Sequence, residues 1–378
     1  MSVTVIGLDG TELSADAAAA LAQARIAVGG RRNLAAVSLP RRCTRIELGP
    51  LEPALAALDV AEEPAVVLAS GDPGFFGIVR ALREHGIVPR VLPALSSVQR
   101  AFAAIGRPWD DVVVVSAHGR ALRPALNVCR SRDAVAVLTA PGAGPAELAA
   151  GLHGWDRTLV VAEDLGGAAE RISTVTLAEA AAGTWAEPNV VLCLRSLEHL
   201  PPMGWIAGGP RAAVTPVREP EQDVGPEVLA SVLSYLDPAA GQLVWVGGAQ
   251  ASAVVAAACA RRGAAVLTVR NADVPAMAQP DSVFLGGETD IILLVACLRA
   301  APRRVVLLQP GGQCSAAEET LRANGFRTST RRVTVTEIDV GDDTEAAAGD
   351  SVVLLVATRL NQVAGDQDPA VLPHSKHT

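Results

Sequence analysis

Short apolar runs alternate with turn-forming residues along most of this chain. The clearest run is Val66–Ala69, which stops at the turn residues Ser70–Gly74. An uninterrupted apolar run of this length is typical of a strand buried on both faces, and glycine and proline end it. The segment Ile78–Glu84 that follows has the composition of a helix. The pattern therefore predicts a strand, a turn and a helix, an arrangement that places ligands at the carboxyl edge of an α/β sheet.

The same pattern recurs through residue 194. It predicts buried strands at Val66–Ala69 and Val112–Val115. It predicts further strands at Val3–Ile6, Ile26–Val28, Val88–Leu92, Ala134–Leu138, Leu159–Ala162 and Val190–Leu194. It also predicts three helices. One starts after Ser14 and runs to about Ala24, and the others are Pro53–Leu58 and Val98–Ile105. We expect an α/β domain with its functional loops along one edge.

The pattern fails between Glu198 and Gly225, where prolines cluster, and then resumes. The second set of elements comprises helices Pro226–Leu236 and Ala251–Arg262 and strands Leu243–Val246, Val266–Val269, Ser282–Leu285, Val305–Leu308 and Val352–Ala357. We therefore expect an N-terminal domain at 1–197, a linker at 198–225, a second α/β domain at 226–361 and a disordered tail at 362–378.

Composition narrows the possible partners. The net charge is −8 and no basic block is present, so neither nucleic acid nor an anionic membrane is an expected partner. The longest apolar runs are far shorter than the ~20 residues of a membrane span, and no signal peptide is recognisable. Six cysteines occur without a CxxC pair or other metal-ligand spacing, and Cys193 and Cys297 lie inside apolar runs as core residues. We expect a cytoplasmic protein that binds a small molecule.

The turn after Val66–Ala69 holds the first candidate residues. The carboxylate of Asp72, set between Gly71 and Pro73, could bind or polarise a ligand, or could cap the next helix. Phe75 and Phe76 could line the pocket of a planar ligand, or belong to the core. On spacing alone, a glycine-rich turn can cradle a nucleotide or merely reverse the chain.

Two further turns carry candidate chemistry. Ser96 and Ser97 could donate hydroxyl hydrogen bonds to a carboxylate, or cap the following helix. His118 and Arg120 suit a substrate with several carboxylates, because arginine can bind a carboxylate in two places, although a surface salt bridge is the alternative. No Ser-His-Asp set is visible, so hydrolase chemistry has no support.

Taken together, these turns carry a more specific signal. The segments concerned are Leu68–Gly77, Pro93–Gln99, Ser116–Arg120 and Val161–Gly166 followed by Glu170–Ile172. In this order they resemble the precorrin methyltransferases of cobalamin synthesis, in particular those acting on precorrin-6Y. The resemblance implies a tetrapyrrole methylase fold, with two α/β subdomains and S-adenosylmethionine held in the cleft between them.

The resemblance also implies roles for individual residues. The Gly71–Gly77 loop would hold the methionine part of S-adenosylmethionine, through Gly71, Asp72, Pro73, Phe75 and Gly77, with Asp72 as the catalytic candidate. Ser96, Ser97 and Gly7 would contact the same cofactor. Asp9, His118 and Arg120 would face the precorrin-type tetrapyrrole. We also expect a homo-oligomer.

The second half resembles the second, Rossmann-like methyltransferase domain of fused precorrin-6Y enzymes, but its cofactor loop departs from the family pattern. Leu243–Ser252 aligns with that loop, and Pro280–Gly287 with a later signature. Trp245 stands where the family has an acid, and Gln250 where it has a glycine. The strand Val266–Val269, which should end in an acid for the ribose hydroxyls, ends instead at Arg270-Asn271. We expect this domain to keep its fold and to lose cofactor binding.

Three hypotheses follow. The leading one is an S-adenosylmethionine-dependent methyltransferase whose N-terminal domain methylates C5 of precorrin-6Y. The C-terminal domain, if active, would methylate C15 and remove a carboxyl group. The alternatives are a non-catalytic tetrapyrrole-binding or partner protein, which the altered second loop would favour, and an α/β nucleotide-binding protein unrelated to tetrapyrroles.

Overall fold

A computed structural model describes residues 3–59, 63–198, 208, 224–249, 251–270, 278–310, 315–335 and 350–360. The chain forms two compact units. One comprises Met1–His118, Ala136–Ala146 and Arg157–Trp205, and the other Gly119–Val135, Glu147–Asp156 and Ile206–Thr378. The expected linker at 198–225, apart from residues 198, 208, 224 and 225, and the expected tail at 362–378 lie outside the described residues.

Strands and helices alternate as far as residue 194. The strands are β1 (Val3–Leu8), β2 (Ile26–Gly29), β3 (Thr44–Glu47), β4 (Ala65–Ser70), β5 (Arg90–Leu92), β6 (Val113–Ser116), β7 (Ala134–Leu138), β8 (Thr158–Glu163), β9 (Arg171–Thr176) and β10 (Asn189–Leu194). The helices are α1 (Ala15–Gln23), α2 (Arg31–Ala35), α3 (Leu51–Asp59), α4 (Ile78–Glu84), α5 (Ser97–Ala104), α6 (Leu122–Ser131), α7 (Pro145–Gly151) and α8 (Leu177–Ala182).

The first sheet is parallel throughout and has the order β3-β2-β4-β1-β5. Its central strand β4 is buried on both faces, as predicted: Ala65 and Val67 pack into one core cluster, and Val66 and Leu68 into the other. This double burial explains why β4 lacks polar alternation. The loops that follow β1, β4 and β5 all leave from the carboxyl edge of this sheet.

The second sheet has the order β6-β7-β10-β8-β9, and β8 pairs antiparallel with both of its neighbours. The prediction of a buried strand at Val112–Val115 is wrong in one respect. The strand is displaced to Val113–Ser116, and its residues are only half-buried because β6 is an edge strand. The prediction of a strand from Val88 is also wrong, since Val88 is exposed and β5 begins at Arg90.

The second unit contains the third sheet. Its elements are α9 (Pro226–Leu236), β11 (Leu243–Gly248), α10 (Ser252–Arg261), β12 (Ala265–Val269), β13 (Ser282–Gly286), α11 (Ile291–Arg299), β14 (Arg304–Pro310), α12 (Ser315–Ala323), β15 (Phe326–Val335) and β16 (Asp350–Arg359). The order is β12-β11-β13-β14-β16-β15, with four parallel strands followed by an antiparallel pair. This confirms the predicted α/β fold of the second half.

Other expected features can be checked in the described part of the chain. Cys193 and Cys297 are buried and free, and burial raises the pKa of the Cys297 thiol to about 12. None of the described helices has the length and apolar character that crossing a bilayer requires. Within the same residues, no group of three or more His, Cys, Asp or Glu side chains is arranged to hold a metal ion.

Glu163, at the end of β8, is a buried carboxylate with three hydrogen-bond donors. It accepts hydrogen bonds from Arg171 Nε at 2.6 Å and Nη2 at 2.9 Å, and from the backbone N–H of Ala186 at 2.7 Å. Burial pushes the pKa of Glu163 upward, but these hydrogen bonds and the positive charge of Arg171 outweigh it, so the pKa lies below the ordinary value. Glu163 thus joins β8 to β9 and to the segment that leads into β10.

We expect Glu163→Gln to lower the free energy of unfolding by about 2 kcal/mol at neutral pH, because charge-assisted hydrogen bonds are lost from a buried site. Since the pKa is lower in the folded state, this contribution is present above pH 4.5 and is lost as the pH falls through the folded-state pKa. Urea unfolding across pH 3–7 measures both effects. The exposed Glu52→Gln is the control, and equal stability of the two variants at pH 7 would contradict the assignment.

Candidate functional site

The loops after β1, β4 and β5 meet at Gly7. A Cβ atom placed on Gly7 would lie 2.3 Å from the carbonyl oxygen of Gly71 and 2.7 Å from the backbone nitrogen of Ala94. Real Cβ atoms do not approach other atoms so closely, so only glycine fits. The backbone N–H of Gly71 also donates a hydrogen bond to Leu8 O at 2.7 Å. Two of the predicted site residues, Gly7 and Gly71, are thereby brought into contact.

The Gly71–Gly77 loop is a tight turn that its own residues stabilise. Gly71 has a φ of +64°, which favours glycine, and a Cβ on Gly77 would lie 2.5 Å from Pro73 O. Asp72 Oδ1 accepts a hydrogen bond from the backbone N–H of Gly74 at 2.8 Å. One oxygen of Asp72 therefore shapes the loop, and Asp72 is also one of the residues that line a cavity.

Phe75 and Phe76 are at the surface, so the alternative that they belong to the core is wrong. Their exposed fractions are 38% and 53%, and their ring centroids lie 5.0 Å apart in an edge-to-face arrangement. Phe76 has a φ of +53°, an uncommon conformation for a residue with a side chain. An exposed aromatic pair in a chain with 3% aromatic residues is an apolar surface placed next to the Gly71–Gly77 loop.

Ser96 caps helix α5. Its Oγ accepts a hydrogen bond from the backbone N–H of Gln99 at 3.2 Å, and Gln99 Oε1 accepts one from the backbone N–H of Ser96 at 2.8 Å. The helix-cap alternative is thus confirmed for Ser96. A Cβ on Gly71 would lie 3.2 Å from Ser96 Cα and 3.4 Å from Ser97 N, so both serines adjoin the Gly71–Gly77 loop.

Asp9 is held in place by three donors. Its Oδ1 accepts hydrogen bonds from Thr11 N at 3.0 Å and Thr11 Oγ1 at 2.6 Å, and its Oδ2 accepts one from Leu95 N at 3.2 Å. Burial raises the pKa of Asp9, but the hydrogen bonds from Thr11 and Leu95 and the charge of Arg100 outweigh that effect and lower the pKa. Asp9 therefore carries a negative charge at neutral pH.

A cavity of about 550 Å³ lies along these loops, within the range of small-molecule sites. It is lined by residues 6–9 and 11–14, Ala17, Asp72, residues 92–95 and Gln99. The charged residues that line it, Asp9, Glu12 and Asp72, are all acidic. An acidic, partly apolar cavity suits a small molecule that carries positive charge.

His118 and Arg120 are not among the residues that line this cavity. Both are exposed, in the segment that follows the edge strand β6 of the second sheet. The described contacts thus gather the predicted residues Gly7, Asp9, Gly71 and Asp72, with Ser96 and Ser97 adjoining them, and leave His118 and Arg120 apart.

Sequence reasoning missed the polar side chains that join the loops. Arg100 Nη1 donates a hydrogen bond to Asp9 O at 2.8 Å, and Arg100 Nη2 lies 3.2 Å from Glu170 Oε2. Arg32 pairs with Asp164 at 2.6 Å. Asp164 and Glu170 belong to the segments that carry the family resemblance, but nothing in the sequence indicated that arginines would pair with them.

The aligned loop of the second unit is built differently. A Cβ on Gly247 would lie 2.6 Å from Val269 O, and one on Gly248 2.1 Å from Gly286 O, so these glycines serve strand packing. Ser252 Oγ donates to the carbonyl oxygens of Gly247 and Gly248, both at 2.8 Å. Ala251 has a φ of +58°, a conformation that favours glycine. Gln250 lies outside the described residues.

Trp245, at the position where an acid was expected, is part of the core. Its exposed fraction is 1%, and it packs among Leu243, Val283 and Leu307. Its indole N–H has no hydrogen-bond partner among the described residues. A tryptophan in this place cannot supply the carboxylate that the family pattern has there.

Comparisons with known proteins give consistent results. Residues 6–181 match the family described as Tetrapyrrole (Corrin/Porphyrin) Methylases. A precorrin-6Y C(5,15)-methyltransferase (decarboxylating) from a Sinorhizobium species is 33% identical over 327 residues, which cover 76% of this chain and 78% of that protein. A cobalt-precorrin-7 C(5)-methyltransferase of Salmonella typhimurium is 34% identical over 181 residues, 45% of this chain and 88% of that protein.

Among solved structures, the cobalamin biosynthesis precorrin-6Y methylase from Archaeoglobus fulgidus is similar with a TM-score of 0.41 and 22% identity, over 52% of this chain and 98% of that one. The methyltransferase CobJ has a TM-score of 0.43 and 25% identity, over 51% of this chain and 93% of that one.

We expect Gly7→Ala to destabilise the first unit by about 2 kcal/mol, because its methyl group has no space between Gly71 O and Ala94 N. Thermal and urea unfolding measure the loss. Gly49→Ala is the matched control, since a Cβ there would meet no atom within 4 Å. If the Gly7 variant were as stable as the wild type, the close approach of these loops would not contribute to the stability of the first unit.

Proposed function

Because this chain belongs to the tetrapyrrole (corrin/porphyrin) methylases, and within them to the group of the precorrin-6Y C(5,15)-methyltransferases, we propose that its N-terminal half methylates C5 of a precorrin. The chain is an S-adenosylmethionine-dependent precorrin C-methyltransferase of cobalamin biosynthesis. The alternative of a non-catalytic tetrapyrrole-binding or partner protein is not favoured. Two findings support the assignment of C5 to this half: the family match lies at residues 6–181, and a C(5)-methyltransferase is 34% identical over 181 residues.

The acidic cavity is the observation that carries the site assignment. At neutral pH S-adenosylmethionine carries a sulfonium, an ammonium and one carboxylate, so its net charge is positive, whereas precorrins carry several carboxylates and are net negative. The lining carboxylates of Asp9, Glu12 and Asp72 attract the first and repel the second. The residues present therefore fit the methyl donor, and we assign this cavity to it.

When bound, S-adenosylmethionine supplies an electrophilic methyl group. The chain's own residues need only hold the donor and the acceptor carbon in line, which agrees with the lack of a recognisable protein nucleophile in the sequence. In our proposal Asp72 and the Gly71–Gly77 loop hold the cationic part of the donor, and Ser96 and Ser97 fix the neighbouring turn. Phe75 and Phe76 of the Gly71–Gly77 loop offer an exposed apolar surface, against which a planar ligand could pack.

His118 and Arg120 keep their proposed role toward the precorrin. Both are exposed in one short turn, and neither contributes to the acidic cavity. The guanidinium of Arg120 could bind a carboxylate of the substrate. Because Arg120 does not line the donor cavity, the substrate would not compete with the donor for that cavity. Asp9, which the resemblance would place against the tetrapyrrole, lines the acidic cavity instead, so we assign it to the donor side, where its hydrogen bonds also shape its own loop.

We further propose that the Rossmann-like half does not bind S-adenosylmethionine. The Ser252 hydroxyl is committed to Gly247 O and Gly248 O, and Trp245 fills the place of an acid. Both features support a retained fold with a lost cofactor site. C15 methylation and decarboxylation would then require another protein. The domain limits 1–197, 198–225, 226–361 and 362–378, a cytoplasmic location and a homo-oligomeric state complete the proposal.

We expect Asp72→Asn to weaken S-adenosylmethionine binding about tenfold, equivalent to 1.4 kcal/mol, because it removes a charge opposite a cationic ligand. The asparagine oxygen can still accept the hydrogen bond from Gly74 N, so the loop keeps its shape. Calorimetric titration of the full chain measures the affinity, and transfer of a labelled methyl group to precorrin measures activity. Asp110→Asn, at an exposed carboxyl outside the cavity, is the control. Wild-type affinity in the Asp72 variant would remove this residue from the site.

A second prediction tests which half of the chain binds S-adenosylmethionine. We expect the full chain to bind one S-adenosylmethionine per chain and to release no carbon dioxide from the methylated product. Replacing Gly71 by valine should abolish that binding, because the valine side chain meets Ser96 Cα and Leu95 O. Calorimetric stoichiometry and product mass spectrometry check these points. Two bound donors per wild-type chain would contradict the lost cofactor site of the second half, and loss of carbon dioxide from the product would show that this half is active.

A further inference from the structure

Two loops of the first unit touch backbone to backbone. A Cβ on Gly10 would lie 2.0 Å from Gly166 O, and one on Gly166 would lie 2.0 Å from Asp9 O. Gly10 and Gly166 have φ values of +84° and +73°. The first loop follows β1 of the parallel sheet, and the second follows β8 of the mixed sheet. This contact therefore joins the two subdomains beside the acidic cavity.

Arg100, in helix α5, binds both loops at once. Its Nη1 donates to Asp9 O at 2.8 Å, and its Nη2 donates to Glu170 Oε2 at 3.2 Å. The same Glu170 oxygen accepts a hydrogen bond from the backbone N–H of Gly166 at 2.6 Å. The Arg100 side chain is 23% exposed, so solvent screens these contacts only in part.

A second ion pair holds the other end of the later loop. Arg32 Nη2, in α2, lies 2.6 Å from Asp164 Oδ1. Asp164 Oδ2 accepts a hydrogen bond from Ala169 N at 3.0 Å, and Asp164 O accepts one from Gly167 N at 2.7 Å. Residues 164–170 are thus tied to α2 at their start and to α5 at their end. We call Arg32, Arg100, Asp164 and Glu170 the ion-pair cluster.

We propose that the ion-pair cluster positions the 7–11 loop for the methyl donor, with Arg100 as the principal positioning residue. Arg100 does not line the cavity. It acts through Asp9, whose backbone oxygen it binds and whose carboxylate lines the cavity and accepts from Leu95 N. The inference rests on the proposed function, because it takes the acidic cavity as the donor site.

The geometry explains why an arginine is used. A planar guanidinium presents separate N–H groups to a carbonyl oxygen on one loop and to a carboxylate on another, and a lysine ammonium cannot copy this fork. If either contact of Arg100 were lost, the loops at Gly10 and Gly166 would no longer be held together. The Asp9 carboxylate would then lose its fixed position. The expected consequence is weaker donor binding, with little change in the rate of the bound complex.

The experiment uses the full chain and the variants Arg100→Lys and Glu170→Gln, with Arg31→Ala as the matched control. Arg31 forms an ion pair with Glu47 at 3.0 Å on the same subdomain, outside the cluster. Calorimetric titration of S-adenosylmethionine and steady-state methyl transfer to precorrin are measured together. We expect both cluster variants to raise the donor Kd and KM about tenfold while kcat changes less than about twofold, and the control to match the wild type.

A second readout does not need the ligand. Hydrogen exchange of the ligand-free chain should be about tenfold faster at Thr11 and Leu95 in both cluster variants, because these N–H groups donate to Asp9, and unchanged in Arg31→Ala. Wild-type exchange and wild-type donor affinity in the cluster variants would overturn the proposal. If the wild type itself does not bind the donor, the proposed function fails, and exchange at Thr11 and Leu95 still decides whether the cluster orders the loop.

Discussion

The site of this methyltransferase depends on backbones that approach each other without side chains between them. Gly7 lies against Gly71 and Ala94, and Gly10 lies against Gly166, at distances that no Cβ atom could occupy. Such contacts give little attraction of their own. Their effect is to bring polar groups of separate strands within hydrogen-bond reach, so that Asp9 can accept from Leu95 and Arg100 can bridge to Glu170.

The predictable part of the fold was the part buried on both faces. Strands such as β4 and β11 have no polar alternation and stand out in the sequence. The sequence pattern did not predict β3, β9 and β15. These strands lie at sheet edges, where one side faces solvent and polar residues are tolerated. Burial of the central strands leaves a pattern in the sequence, whereas the pairing of an edge strand is fixed by neighbours distant in the chain.

The residues of the candidate site also fall into a part that the sequence predicts and a part that it does not. Gly7, Gly71 and Asp72 were found because glycine and aspartate at a strand end mark a turn, and the turns matched a family. Arg100 could not be found, since it is one polar residue of an amphipathic helix, and its partners are 70 and 91 residues away. In the second unit, the sequence predicted a loop that no longer binds a cofactor, but it did not show that Gly247 and Gly248 serve strand packing.

The acidic lining of the donor cavity has a consequence for the direction of the catalytic cycle. Transfer of the methyl group removes the positive charge on sulfur, so the spent product carries one positive charge fewer than the donor. One unit of charge about 4 Å from a carboxylate is worth roughly 1–4 kcal/mol between bulk water and a partly screened site. In the donor site proposed above, the acidic residues Asp9, Glu12 and Asp72 would therefore favour fresh donor over spent product.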